Sequence, residues 1–295
     1  MLRITRVLAP NADMYTLDGT NTWVVGQDPS IVIDPGPEIE SHLEEVARVA
    51  GKVAFVLVTH DHPDHAPGAA SFARAVGAPL HAWRLKEAEP MRDHQEFRGG
   101  GFALTAIHTP GHTSDHVVFH EPQEGALFTG DAVVGRGTSF IDPPDGDLTH
   151  YLRSLKLMQE RSPRTIYPGH GPVVFRAQDK LREYVEHRAD RERQVQESLA
   201  GGGRTIEAIV QEVYAGYPAE VLPLAGRSVL AHLLKLEGEA AVVRSGKGEA
   251  AVWSVAVPRT CARCGKRVRG RARYCSTCSV IILQEGGADT SAADA

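Results

Sequence analysis

The sequence predicts a mixed α/β (α+β) domain, followed by a small helix-and-hairpin module and a short cysteine-bounded ribbon. Three observations carry this reading. Short β-rich apolar runs alternate with helically spaced segments up to about residue 175. Four of those runs end in loops that carry His or Asp beside Gly or Pro. Beyond about residue 177 the chain becomes a long charged helix, then a Gly201-Gly202-Gly203 breaker, with all four cysteines between Cys261 and Cys278.

Bulk properties exclude several classes. The 295 residues suffice for one large core and one or two small modules. An apolar content of 42% and a charged content of 23% are ordinary for a soluble globular protein. The formal charge of −5 is uneven: Arg259 to Arg273 holds seven Lys/Arg and no acid, while the segment after Leu283 is small and acidic. That tail cannot bury enough apolar area to order itself. Confinement of cysteine to one segment argues against a disulfide framework. No signal-like leader and no apolar run of membrane-spanning length is present, so no membrane association and a cytoplasmic location are expected.

Met1 to Leu8 alternates like a strand. Thr22–Val25 and Ser30–Ile33 flank the turn Gly26-Gln27-Asp28-Pro29, an antiparallel meander closed by Asp34-Pro35-Gly36-Pro37. His42 to Val49 has helical spacing, and Val53–Val58 is a continuous apolar run, as for a strand covered on both faces. Ala69–Val76 follows as a helix and Pro79–Ala82 as a short strand. Strands are then expected at Leu104–His108, Ala126–Thr129 and Thr165–Tyr167, each ended by a glycine-bearing loop. Asp179–Leu199 reads as a helix, as do the stretches around Ile206–Val213 and Val229–Leu236. Ala241–Val243 and Val252–Val255 form a hairpin, and helices followed by a hairpin suggest a winged helix.

The chemistry lies in Thr59-His60-Asp61-His62-Pro63-Asp64-His65 and in the isolated His112, Asp131 and His170. His60 and His62 are two residues apart, so an extended loop can aim both to one side, and His112 can complete a three-histidine site. Asp64 and His65 can face a second ion with His170, and Asp131 can bridge both. Imidazole and carboxylate donors without thiolate suit zinc, with manganese or iron as alternatives. Two such ions side by side make hydroxide at neutral pH, which attacks a carbonyl or a phosphorus. Asp64 and Asp131 are the expected catalytic carboxylates, orienting the nucleophile. His42, His81, His94, His120, His150 and His232 read as ordinary core or loop residues. Asp34 either orients a ligating histidine or caps a turn, and Asp115 and His116 either face the substrate or serve structure.

With Thr59–His65, Pro110-Gly111-His112-Thr113, Thr129-Gly130-Asp131 and Pro168-Gly169-His170-Gly171, the chain resembles the metallo-beta-lactamase superfamily over roughly residues 1 to 200. The resemblance implies an αββα sandwich with a dinuclear site at one edge. A bridging aspartate is similar to the glyoxalase II and ribonuclease branches rather than to true β-lactamases. Asn21-Thr22-Trp23-Val24-Val25, Tyr167 to Pro172 and Tyr184 to Arg188 look like the lactamase-beta-like 2 family, which carries a winged-helix segment. Its animal member cuts single-stranded RNA, so the resemblance suggests an endoribonuclease; a thioester or ester hydrolase of the glyoxalase II type fits the same donors, and a binding module with a vestigial site is the third reading. Substrates are accordingly single-stranded RNA or a small ester or thioester. The expected divisions are the metal hydrolase domain at 1–200, the winged-helix-like module at 201–257, a zinc ribbon at 258–282 and a disordered acidic tail at 283–295.

The ribbon rests on Cys261-x2-Cys264 and Cys275-x2-Cys278, two knuckles able to close one tetrahedral thiolate site for a structural zinc. Arg259, Arg263, Lys266, Arg267, Arg269, Arg271 and Arg273 interleave with it and suit nucleic-acid phosphates, or form a solvated loop facing the acidic tail.

Overall fold

A computed structural model describes residues 2–256, 259–268 and 275–284. In chain order the elements are β1 (Ile4–Leu8), β2 (Asn21–Val25), β3 (Ser30–Ile33), α1 (Glu40–Ala50), β4 (Val53–Leu57), α2 (Ala69–Val76), β5 (Leu80–Ala82), β6 (Glu89–Pro90), β7 (Glu96–Arg98), β8 (Ala103–His108), β9 (Val117–Glu121), β10 (Ala126–Gly130), α3 (Leu148–Glu160), β11 (Thr165–Pro168) and α4 (Ala177–Ser198). The C-terminal elements are α5 (Ile206–Val213), α6 (Leu222–Gly238), β12 (Val242–Ser245), β13 (Val252–Val255), β14 (Arg259–Thr260), β15 (Arg267–Val268) and α7 (Ser276–Gln284).

Two sheets face each other. One runs in the order β1-β2-β3-β4-β5-β6 and the other β11-β10-β9-β8-β7. The central strands β2, β3 and β10 are buried along their whole length because both of their faces are covered, whereas the edge strands β1, β6 and β7 carry exposed or charged residues; the pleat sends successive side chains to opposite sides. Trp23, Val25, Ile31, Ile33 and Leu57 meet Phe97, Leu104, Phe119 and Phe128 between the sheets. The alternate residues Val24, Val32 and Val56 pack outward on Val46 of α1 and Phe72 of α2. Ile107, Val118, Leu127 and Ile166 pack outward on Tyr151, Leu155 and Met158 of α3 and Leu181 and Tyr184 of α4. The result is the four-layer αββα sandwich.

The expected helices and strands around the histidine loops are all present, within a few residues at their ends. The short β6, β7, β14 and β15 and helix α7 had no assignment from sequence, and neither did two larger elements beside the site. β9 is a buried run directly behind His116. α3 buries Leu148, Tyr151, Leu155 and Met158 on one face, and its N-terminus is capped by Asp147, whose side chain accepts from the His150 amide. That spacing and cap are visible in the sequence.

Val195 in the last turn of α4 and Leu199 at its C-cap contribute to a separate core with Ile209, Val229, Leu233, Leu236 and Trp253. Ala231 of α6 instead joins the core of the sandwich, so the module is seated on the main domain. Within the module, His232 is 1% exposed, and neither of its ring nitrogens has a hydrogen-bond partner among the described residues. Burial pushes its pKa down, against the pull of Glu192. A depressed folded pKa contributes stability above the unfolded value of about 6.5 that is lost as pH falls. Thermal melts between pH 7.5 and 5 should therefore show a smaller acid-induced loss of stability in His232→Leu than in the parent chain; equal losses would refute it.

α7 runs through Leu283 and Gln284, and the rest of the expected acidic tail lies outside the described residues. Of the seven basic residues, only the side chains of Arg263 and Lys266 are described, and both are exposed. Among the described residues, no helix is long and apolar enough to cross a membrane.

Candidate metal centre

The loop after β4 carries His60, His62, Asp64 and His65; His112 follows β8, Asp131 follows β10 and His170 follows β11. β8, β10 and β11 point the same way, because β9 is antiparallel to both β8 and β10, and β10 is parallel to β11. The loops therefore converge at one end of the sandwich. His60, His62, His112 and Asp131 form one group of candidate donors, and Asp64, His65 and His170 a second, with donor atoms within 4.8 Å of one another in each. Every residue singled out from sequence for this site is brought together.

The ring hydrogen bonds decide which nitrogen faces inward. His65 Nδ1 lies 2.8 Å from Asp34 Oδ2, His112 Nδ1 is 2.6 Å from the Phe140 carbonyl, and His170 Nδ1 is 3.2 Å from the Gly19 carbonyl. All three partners only accept, so each Nδ1 carries the proton and each Nε2 presents a lone pair. His60 Nδ1 is 3.0 Å from Thr59 Oγ1, whose own proton goes to Asp34 at 2.7 Å, so His60 Nε2 is also bare. Among the described residues it has no partner, and neither does Asp131 Oδ1 by hydrogen-bond criteria. His62 turns its Nδ1 to His112 Nε2 at 3.2 Å, and His65 Nε2 lies 3.3 Å from His170 Nε2. Lone pairs packed this closely fit a cation between them.

Charge points the same way. Burial opposes a proton on His65, yet Asp64, Asp131 and Asp34 raise its pKa well above normal. Burial also opposes charge on His170, but Asp131 and Asp64 bring it up to about 9. Burial would push the Asp131 carboxyl up; His170 and His65 instead hold it well below the usual range. Burial and the neighbouring His65 keep His60 neutral, well below its ordinary pKa. The carboxylates thus demand positive charge at this spot, which an imidazolium or a bound cation supplies.

Several supporting groups were quoted from sequence without a role, or not singled out at all. Asn21 Nδ2 donates to the Pro168 and Gly171 carbonyls, both at 2.9 Å, and so braces the His170 loop. Trp23 Nε1 donates to the Pro168 carbonyl at 3.0 Å. Thr20 Oγ1 donates to Asp64 Oδ2 at 3.1 Å. Gly169 leaves no room for a side chain, since a Cβ there would lie 2.6 Å from Asp131 Oδ1. The open alternatives also resolve. Asp34 accepts from the Thr59 amide at 2.7 Å as well as from His65, so it orients the donor loop. His116 is fully buried, with Nδ1 on Thr109 at 3.1 Å and Nε2 accepting from the Ala132 amide at 3.2 Å. Asp115 accepts from the Asp61 amide at 3.0 Å. Both are structural props.

The four cysteines form a third donor group, again with sulfurs within 4.8 Å of one another. No disulfide joins them. Burial disfavours the Cys261 thiolate, but backbone amides of Cys275, Arg263 and Cys264 lower its pKa to about 6. The Cys278 amide donates to Cys275 Sγ at 3.4 Å, which is knuckle-like geometry suited to a metal.

The family model of the metallo-beta-lactamase superfamily matches residues 15–97 and 81–170. The chain belongs to this superfamily. A second model, the beta-lactamase associated winged helix domain, matches residues 205–253. Among curated relatives in the superfamily, lactamase-like protein aptB of Emericella nidulans is 36% identical over 74% of this chain and 76% of its own length. The beta-lactamase-like protein 2 homolog of Drosophila melanogaster is 33% identical over 80% of this chain and 88% of its own. The atrochrysone carboxyl ACP thioesterase of Aspergillus chevalieri is 33% identical over 86% and 87%. A crystal structure of a metallo-beta-lactamase family protein from Thermus thermophilus shares the fold, with a TM-score of 0.70, 22% identity and coverage of 86% and 98%. The chain is thus a hydrolase of the metallo-beta-lactamase superfamily, whose members typically hold divalent metals.

Proposed function

We propose that the chain hydrolyses an ester or thioester at a dinuclear zinc centre, with manganese or iron as substitute metals. One observation carries the dinuclear reading. Asp131 Oδ1 lies 3.4 Å from His65 Nε2 and 3.3 Å from His170 Nε2, while Oδ2 lies 3.7 Å from His112 Nε2. Each oxygen faces a different donor group, which is the arrangement of a bridging carboxylate.

In this reading His60, His62 and His112 hold one ion, and Asp64, His65 and His170 hold the other. Bound there, a pair of divalent ions would polarise the scissile carbonyl and bring the ionisation of water towards neutral pH. Asp34, Thr59, Phe140 and Gly19 lock the rings so that each bare Nε2 is already aimed before a cation arrives. Asp64 and Asp131 are the catalytic carboxylates and orient the attacking water. Their side chains are 23% and 14% exposed, which puts them, with half-buried His62, at the open side of the set.

The thioester class is supported by the relative named as an acyl carrier protein thioesterase, matched over 86% of the chain. Endoribonuclease activity, the first expectation from sequence, has in its support the basic run between Arg259 and Arg273, much of it outside the described residues. A panel of acyl thioesters and single-stranded RNA oligonucleotides, given to the zinc-loaded chain at two salt concentrations, separates the readings. Thioester turnover indifferent to salt is the expected result; RNA cleavage that weakens steeply with salt, without thioester turnover, would overturn it.

The four cysteines are proposed to hold a third, structural zinc, consistent with a reducing compartment such as the cytoplasm. Cys264→Ser should lower zinc content by one equivalent and leave kcat/KM at the main site within about twofold. A collapse of turnover would contradict that separation.

A further inference from the structure

We propose that Arg227 is a positioning residue that couples the C-terminal module to the three-histidine half of the metal centre. The inference rests on the reading above that His112 holds a cation.

The coupling runs through the loop between Gly135 and Asp147. Its Phe140 carbonyl accepts from His112 Nδ1 at 2.6 Å and thereby sets both the tautomer and the tilt of that ring. The loop has little regular structure of its own to hold this carbonyl in place. It is gripped from outside. Arg227 of α6 donates through Nε to the Asp142 carboxylate and through Nη2 to the Pro143 carbonyl. Two residues before Asp142, and on the other side of buried Ile141, is Phe140 itself. Ile141 shares a core with Ala231, one turn along α6 from Arg227. Arg188 of α4, itself buried, donates to the Ser139 carbonyl. The segment on either side of the critical carbonyl is therefore held by two arginines, one of them on the helix that belongs to the winged-helix match. A planar, multiply donating guanidinium suits this, because it fixes a carboxylate and a carbonyl together.

A group that orients a ligating imidazole from behind typically changes metal affinity about 10–100-fold when it is lost. The coupling gives anything that bends or shifts α6 a route to the metal centre.

The test is chelator competition on the full-length zinc-loaded chain, resolving each equivalent. Arg227→Ala and Asp142→Ala should each weaken one equivalent several-fold, up to about tenfold, and leave the others unchanged. Arg227→Lys should recover part of the loss, because an ammonium can still meet the Asp142 carboxylate. The visible spectrum of the cobalt-substituted protein should change in the alanine variants. Wild-type affinity in Arg227→Ala, or an equal fall at every site, would overturn the coupling. His112→Ala serves as the reference. If it keeps full stoichiometry, the ligand assignment fails and the coupling with it; if it loses one equivalent while Arg227→Ala loses nothing, only the coupling fails.

Discussion

Asp131→Ala should abolish turnover and reduce bound zinc at the main centre, with secondary structure retained. The carboxylate is the only group whose two oxygens face both donor sets among the described residues, at 3.3 and 3.4 Å on one side and 3.7 Å on the other. Its removal leaves three histidines in one set and Asp64, His65 and His170 in the other, with nothing between them to offset the like charges of two cations. Loss of a single preorganised group that stabilises transition-state charge costs about 10²–10³ in rate; here the metals are lost as well, so the fall in kcat/KM should be at least ~10³-fold. His112→Ala should follow the same course through one set alone. Zinc content by elemental analysis and initial rates on an acyl thioester decide the matter. An Asp131→Ala protein that keeps both ions and appreciable turnover would sink the bridging role.

Gly111→Ala is the second large effect, and it acts through backbone. Gly111 has φ +144°, a conformation that L side chains rarely adopt. A Cβ there would lie 2.3 Å from Tyr151 Cα and 2.5 Å from Tyr151 N, atoms of helix α3 that cannot swing aside. The Gly111 carbonyl also accepts from the Asp147 amide at 2.9 Å, at the cap of that helix. Strain and displacement together should cost about 3 kcal/mol or more, which corresponds to a fall in Tm on the order of 5–10 °C. The neighbouring His112 should lose its metal in the same variant. Gly201→Ala is the control, since a Cβ there meets nothing within 4 Å. Equal melting temperatures for the two variants would show the close approach to be unimportant.

The donors were legible in the sequence because chemistry and spacing coincide: few loops contain His60, His62, Asp64 and His65 together, and His112, Asp131 and His170 each follow a strand signal and a glycine. The strands were legible because fully apolar runs mark burial on both faces. What stayed hidden was relational. That Asn21 would hold the Pro168 and Gly171 carbonyls depends on β2 and β11 meeting across nearly 150 residues of sequence separation, which no local pattern encodes. Phe140 acts through its carbonyl, so its side-chain identity carries no trace of the role. His116 looked like a candidate for chemistry by its nearness to His112, and only its two engaged nitrogens reveal a prop. α3 is different: its apolar spacing and Asp147 cap were readable and simply had no motif to draw attention to them.

His60, His62, Asp64 and His65 hang from the sheet that contains β4, whereas His112, Asp131 and His170 hang from the sheet that contains β8, β10 and β11. Cations seated among them would clasp the two leaves of the sandwich at one rim, much as a rivet joins two plates. Heat resistance of the protein should then climb with the logarithm of free zinc, as for any ligand that favours the native state, and a strong chelator should loosen the rim between the leaves before it disturbs their opposite ends.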